Sequence, residues 1–128
     1  MVSLLVRNMA TGIENLKIYK MAEELEIRAY KNTLNFPREE KYTSANQIRR
    51  SSASVCNNIA ESYHKSSIKE KIHILEIAKG EAEETRTNIL RCGKKKFIDE
   101  KEADFISEKY IELLKAFNGF IKFLKTKK

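Results

Sequence analysis

The sequence predicts an all-α fold, an antiparallel up-and-down four-helix bundle, from three observations. Apolar residues recur at steps of three and four along four segments, which is the spacing of the buried face of a helix. Helix-capping patterns stand before three of these segments. The chain of 128 residues holds one proline and four glycines, and 34% of it is charged, which suits long helices with solvated outer faces.

The first helix is predicted over residues 13–35. Its apolar positions are Ile13, Leu16, Tyr19 or Lys20, Ala22, Leu25, Ala29 and Tyr30. Phe36-Pro37 ends it, because proline pushes the preceding residue out of the helical region.

Ser44, with Gln47 three residues on, is a capping-box pattern that predicts the start of a second helix reaching His64. Its apolar positions are Ile48, Ser52, Val55, Ile59 and Tyr63.

Two further capping boxes, Ser67 with Glu70 and Asp99 with Glu102, predict the third and fourth helices. Gly93 is predicted as the residue that ends the third helix in a left-handed conformation. The third helix has apolar positions at Ile68, Ile72, Leu75, Ala78, Ala82, Ile89 and Cys92. The fourth has the most regular heptad pattern, at Ala103, Ile106, Tyr110, Leu113, Phe117, Phe120 and Leu124. Short connections between such helices place neighbours antiparallel.

Length and composition predict one domain, with residues 13–128 as the bundle and 1–12 as an N-terminal extension. The apolar run near the N-terminus is too short for a signal peptide or a membrane span, so a cytoplasmic location and no membrane partner are expected. Cys56 and Cys92 are interpreted as reduced, buried apolar residues.

The formal charge of +7 makes acidic partners plausible, nucleic acid among them. In an up-and-down bundle the first and third connections are neighbours, so their cations are expected at one end. These candidate nucleic-acid-binding residues are Arg38, Lys41, Arg91, Lys94, Lys95 and Lys96. The opposite end is expected to gather Lys65, Lys122, Lys125, Lys127 and Lys128. No motif for reading bases is present, so such binding would rest on phosphate contacts and weaken with salt.

The second helix is unusually rich in small and polar residues. Small residues permit close approach of another helix, and a polar stripe can hydrogen-bond across the contact, so we expect another subunit to cover it. A solvated face is the alternative. The candidate interface residues are Arg49, Arg50, Ser54, Asn57, Asn58 and Glu61.

Four stretches of the sequence resemble one family. They are ENLKIY at 14–19, FPRE at 36–39, QIRRSSASVCNNIAE at 47–61, and IAKGEAEE at 77–84. Together they resemble the bacterial four-helix-bundle proteins of the 23S ribosomal RNA intervening-sequence type, over about residues 13–124. The block at 47–61 is the specific part. Ser62 stands where the family usually has Gly, and Glu81 stands where Gly-Ser is usual.

The resemblance implies an up-and-down bundle that assembles into a ring-like homopentamer, with a role in RNA binding. A related bundle is the accessory protein of diversity-generating retroelements, which binds nucleic acid and a reverse transcriptase. The family has no catalytic residues to carry over, and we expect neither enzymatic activity nor a cofactor. For the motif residues Arg49, Arg50, Asn57, Asn58 and Glu61, the match implies a structural or assembly role.

Two E-x-x-H motifs are present, Glu61 with His64 and Glu70 with His73. Di-iron bundles carry one such motif on each of two helices and a single glutamate on each of the other two. Both histidines lie off the apolar positions and should point outward, and Glu70 is already explained by the helix cap. A motif without its structural context is usually chance. RNA binding is therefore the leading hypothesis, a scaffold that docks an acidic protein is the second, and a metal-binding bundle is the third.

Overall fold

The computed structural model describes residues 16–127, and all regular structure in that range is helical. Four helices follow one another: α1 at Lys17–Thr33, α2 at Asn46–His64, α3 at Ile68–Lys94 and α4 at Glu100–Lys125. The all-α prediction of four helices is confirmed. Residues 1–15 and Lys128 lie outside the described range, and with them the predicted extension and the predicted start of the first helix at Ile13.

Each helix contributes most of its predicted apolar positions to one core. The α2 helix packs against α1 and α3, and α4 packs against α3 and α1. The largest side chains with almost no exposure are Tyr110, Phe117, Ile48, Ile59, Leu75, Ile89, Ile106 and Leu113. Two predicted core residues are wrong, because Tyr30 and Tyr63 are 47% and 38% exposed.

The two helix starts that need a side-chain cap have it. The Ser67 hydroxyl accepts a hydrogen bond from the Glu70 backbone N–H at 3.0 Å. The Asp99 carboxylate accepts one from the Glu102 backbone N–H at 3.2 Å. Both predictions are confirmed, because each cap satisfies a backbone N–H that the first helical turn leaves without an intrahelical partner.

The predicted cap at Ser44 is wrong. The chain leaves α1 two residues before the predicted end at Asn35, makes a short 3-10 turn at Arg38–Glu40 and then a π-helical turn at Lys41–Ala45. Ala45 already has helical backbone angles, so α2 continues directly from this turn. The Ser44 hydroxyl instead donates to the Glu40 carboxylate at 2.6 Å.

The predicted role of Gly93 is also wrong. Gly93 lies inside α3 and is buried, and no glycine in the described residues has a positive φ. The left-handed residue is Lys96, with φ 68°. The N–H of Phe97 donates to the Cys92 carbonyl and that of Lys96 to the Gly93 carbonyl, at 2.9 and 3.1 Å. This is a Schellman ending with lysine where glycine is usual.

Candidate nucleic-acid interface

The first and third connections between helices lie at the same end of the molecule. The rings of Phe36, after α1, and Phe97, before α4, have centroids 5.6 Å apart. This contact brings together the segments that carry the predicted nucleic-acid-binding residues. We call this region the connection end and define it as residues 36–45 and 91–98.

The six predicted cations of the connection end are all exposed, but their contacts differ. Lys96 pairs with Glu100, and an Arg91 guanidinium nitrogen donates to the Asn88 side-chain oxygen. The other four make no ion pair with any residue in the range 16–127. They are Arg38, Lys41, Lys94 and Lys95. These four cations are therefore free to meet an external anion.

Glu40, one of two acidic residues of the first connection, has its carboxylate engaged within its own turn. Glu40 accepts hydrogen bonds from Ser44 at 2.6 Å and Thr43 at 3.1 Å. The Ser44 hydrogen bond is the main reason why the pKa of Glu40 lies below its ordinary value, and the charge of Lys95 adds a small effect. Glu40 stays ionised and engaged without forming an ion pair.

A recess of about 610 Å³ opens between the end of α1, the following turn and α2. Its charged lining residues are Arg38, Lys41 and Arg49, and no carboxylate from residues 16–127 lines it. Arg49 is fixed in place, because its Nε donates to Thr33 Oγ1 at 2.8 Å and its guanidinium lies 4.7 Å from the centre of the Tyr30 ring. Sequence patterns missed this cation–aromatic contact, since it depends on how α1 and α2 are rotated against each other.

The predicted interface residues of α2 do not form one exposed face. Arg49 lies on the α1 side. Ser54 donates to the Glu81 carboxylate on α3 at 3.1 Å and accepts from Asn58 at 3.1 Å. Arg50 and Asn57 are exposed and line a groove of about 460 Å³ on the α3 side, together with Ser54, Glu81 and Glu84. Glu61 is exposed near the end of the helix and pairs with Lys65 at 3.9 Å.

An exposed apolar row runs along α1 and was not predicted from the sequence. Ile27, Tyr30 and Leu34 are 49%, 47% and 58% exposed, and their spacing of three and four places them on one side of the helix. We call these three residues the α1 row. The row lies on the part of α1 that the buried positions, such as Leu25 and Ala29, leave exposed.

The residues of the E-x-x-H motifs are spread over the surface. His64 and His73 are exposed, and the Tyr63 and His64 rings meet edge to face at 5.5 Å. The Glu61 carboxylate lies near Lys65, and the Glu70 backbone joins the Ser67 cap. Within residues 16–127 no group of three or more His, Cys, Asp or Glu side chains is placed to hold a metal ion.

Both cysteines are buried and free, as predicted. Burial raises the pKa of the Cys56 thiol, and interaction with Glu26 raises it further. Burial is also the main cause of the raised pKa of Cys92. Since the thiolate is the reactive form, neither thiol is activated as a nucleophile.

Tyr110, also in the core, has a buried hydroxyl with no hydrogen-bond partner in the described part of the chain.

Cations at the opposite end interact with helix ends or with a neighbouring aromatic ring. Lys71 donates to the backbone carbonyls of Ser62 and Tyr63, both at 3.2 Å, where α2 ends. Lys127 lies over the Phe123 ring at 4.7 Å. Lys122 and Lys125 stand in the last turn of α4, where positive charge offsets the helix dipole. Lys128 lies outside the described residues.

The comparisons decide the family. A family model described as 23S rRNA-intervening sequence protein matches residues 14–119. The chain belongs to this family. The resemblance carried by the sequence motifs is therefore confirmed, and the matched range includes all four helices apart from the last residues of α4. A search of curated proteins gave no match.

A solved structure supports the fold of this family member. It is the crystal structure of a protein of unknown function from the S23 ribosomal protein family of Bacteroides thetaiotaomicron. The two chains are 26% identical and superpose with a TM-score of 0.73 over 82% of this chain and 98% of the other. None of the helices in residues 16–127 has the length and hydropathy needed to cross a membrane.

The structure accommodates both departures from the family pattern. Ser62 is buried in α2, and its hydroxyl donates to the Ile59 carbonyl at 2.7 Å, so a polar side chain is satisfied within its own helix. Glu81 is half-buried on α3 and accepts the hydrogen bond from Ser54. In this family member the α2–α3 contact therefore includes a side-chain hydrogen bond.

Proposed function

We propose that this protein is a non-enzymatic, homo-oligomeric RNA-binding bundle that acts in the cytoplasm and binds RNA phosphates at the connection end. One observation carries the proposal: four exposed cations without ion pairs lie on two connections that touch through Phe36 and Phe97. Lysine and arginine at such spacing bind phosphate by charge and release its counterions. The family, described by its 23S rRNA-intervening sequence, supports RNA as the nucleic acid.

The antiparallel order of the helices is part of this proposal. It is supported by contacts that join an earlier residue of one helix to a later residue of its neighbour. Ser51 meets Thr85 at 2.6 Å and Ser54 meets Glu81 at 3.1 Å, so a step toward the end of α2 is a step toward the start of α3. This order places the first and third connections together, which the RNA surface requires.

Self-assembly is supported by the α1 row. Exposed apolar side chains on one helix face favour a protein contact, and we propose that a second copy of this chain packs on Ile27 at one end of the row, in the pentameric ring implied by the sequence resemblance. Tyr30 and Leu34 then keep the sides that line the recess open. A ring would repeat the connection end around its axis and multiply the phosphate contacts. Docking of an acidic protein remains the second candidate, because the same free cations would attract carboxylates.

Fluorescence-anisotropy binding of a structured RNA across a salt series tests RNA binding. We expect affinity to fall steeply with salt, and the Lys94→Gln/Lys95→Gln/Lys96→Gln variant to have a shallower slope, because fewer counterions are released. No binding even at low salt would overturn the RNA proposal. Capture of an acidic protein by the wild type, but not by this variant, would then favour the second candidate.

A further inference from the structure

The recess lined by Arg38, Lys41 and Arg49 extends from the connection end onto α1 and α2, where apolar side chains join the cations. We propose that it binds one unpaired nucleotide of the RNA, with the phosphate on the three cations and the base against the apolar walls. This inference rests on the proposed function, because it assigns one part of the RNA to one part of the connection end.

The charges in the recess favour a phosphate. Among the described residues no carboxylate lines it, and neither Arg38 nor Lys41 makes an ion pair with any of them. Glu40, which precedes Lys41, directs its carboxylate to Ser44 and Thr43. An anion that enters the recess can therefore bind Arg38 and Lys41 without breaking an ion pair. Binding to Lys96 would first require its ion pair with Glu100 to break.

The guanidinium of Arg49 is held in an orientation that suits anion binding. Its Nε is used by Thr33 and its guanidinium lies near the Tyr30 ring, while no residue in the described chain accepts a hydrogen bond from its two terminal nitrogens. A planar guanidinium held in this way loses little freedom when it binds, and its fork matches two oxygens of a phosphate.

The walls of the recess favour a base. They are formed by Tyr30, Leu34 and Phe36, with Thr33 as their polar member. Aromatic and apolar walls accept the flat face of any base, so this contact tolerates different sequences. The volume of about 610 Å³ lies in the usual range of small-molecule pockets. A base within a duplex is stacked and paired, so it would have to leave the helix to enter.

Binding of two labelled RNAs by fluorescence anisotropy tests the inference. One is a 5′-labelled single strand of 12 nucleotides, and the other is the same strand annealed to its complement. We expect the wild type to bind the single strand about tenfold more tightly than the duplex at equal salt, as stacking of one base provides. Arg49→Lys keeps the charge but loses the fork, and it should lose most of this preference.

Two double variants provide a matched comparison, since each removes two cations from the connection end. Arg38→Gln/Lys41→Gln should reduce the preference for the single strand, because both residues line the recess. Lys94→Gln/Lys95→Gln should weaken binding of both RNAs by the same factor. All four substituted residues are exposed, so folding should be unaffected, and each variant is compared after its native mass is shown to equal that of the wild type.

Equal binding of single strand and duplex by the wild type would overturn the inference, as would equal effects of the two double variants on the preference. In both cases RNA still binds, so the proposed function stands. Absence of binding to either RNA at low salt would instead overturn the proposed function, and the inference with it.

Discussion

Gly93 of α3 and Ala103 of α4 lie so close that a Cβ atom at position 93 would stand 2.8 Å from the Cβ atom of Ala103. Real Cβ atoms do not approach so closely, so the absence of a side chain at position 93 sets the distance between the two helices next to the connection end. The contact fixes the third connection, which carries Lys94, Lys95 and Lys96.

Gly93→Ala should therefore destabilise the protein even though alanine is the better helix former. Overpacking of a core destabilises by about 1–3 kcal/mol. Replacement of a helical glycine by alanine stabilises by about 1 kcal/mol. We expect the free energy of unfolding in urea to fall by about 1 kcal/mol. Addition of Ala103→Gly should restore most of the loss.

Gly80→Ala is the matched control, because Gly80 lies in the same helix and a Cβ there would meet nothing within 4 Å. It should raise the free energy of unfolding by about 0.5–1 kcal/mol. A Gly93→Ala variant stabilised to the same extent would contradict the close packing of α3 on α4.

Lys96 has a backbone conformation that glycine adopts more easily. A left-handed conformation costs a residue with a side chain about 1–2 kcal/mol, and the Lys96–Glu100 ion pair is exposed and offsets little of it. We expect Lys96→Gly to be about 1 kcal/mol more stable than Lys96→Ala in thermal unfolding. Both variants lose the ion pair, so equal stabilities would show that φ at this position is not positive in solution.

Glu102 joins α4 to α1 and makes stability depend on acid. Its carboxylate accepts from Arg28 Nε and Nη2 at 2.7 and 2.8 Å and from Asn32 at 2.9 Å. The Arg28 hydrogen bonds are the main reason why the pKa of Glu102 is lowered. A lowered pKa means that this carboxylate stabilises the fold above its unfolded-state pKa of about 4.3 and loses that effect as the pH falls through its folded-state pKa.

Glu102→Gln should lower the free energy of unfolding at pH 7 by about 0.5–1 kcal/mol, a value limited by solvent screening of the exposed Arg28. The variant should also lose less stability than the wild type below pH 4. Glu112→Gln, which removes a surface partner of Lys109 on the same helix, is the control and should change little. If the free energy of unfolding changed with pH by the same amount in the wild type and in Glu102→Gln, the link between this carboxylate and acid stability would be refuted.

Assembly through the α1 row predicts different effects for two similar substitutions. Ile27→Glu places a charge in the row and should reduce the native mass, measured by light scattering, while circular dichroism shows unchanged helicity. Ile77→Glu changes an isoleucine of similar exposure, 43% against 49%, on α3, and should leave the mass unchanged. The same mass for Ile27→Glu and wild type would exclude the row as an interface.

The α2 interface predicted from sequence is tested by Ser54→Arg. If α2 is covered by another copy on its α3 side, the arginine should break the assembly while helicity is largely kept. An unchanged native mass of Ser54→Arg would exclude this surface as an interface. If only Ile27→Glu reduces the native mass, assembly occurs through the α1 side.

Features that depend on neighbours in sequence were predictable. The heptad positions of α4 from Ala103 to Leu124 follow from periodicity, and all but Phe120 are buried. The caps at Ser67 and Asp99 were predictable because cap and backbone N–H are three residues apart. Placement of the Arg38 and Lys94 connections at one end follows from helix number and short connections.

Features set by contacts between distant segments were not predictable. Gly93 has a sequence position typical of a helix-ending glycine. Glycine is instead required there because Ala103 of α4 packs against it. Ser44 has the spacing of a cap, but it lies within the π-helical turn at Lys41–Ala45, which continues directly into α2. The recess needs Arg49 placed over Tyr30, which depends on the rotation of α1 against α2.

The central claim is that RNA meets this protein at the connection end, and photo-crosslinking with mass spectrometry tests it most directly. A structured RNA containing 4-thiouridine would be irradiated in complex with the wild-type protein and the crosslinked residues identified. The account predicts crosslinks within residues 36–45 and 91–98. Crosslinks concentrated at the other end, within residues 62–71 and 121–127, would contradict it.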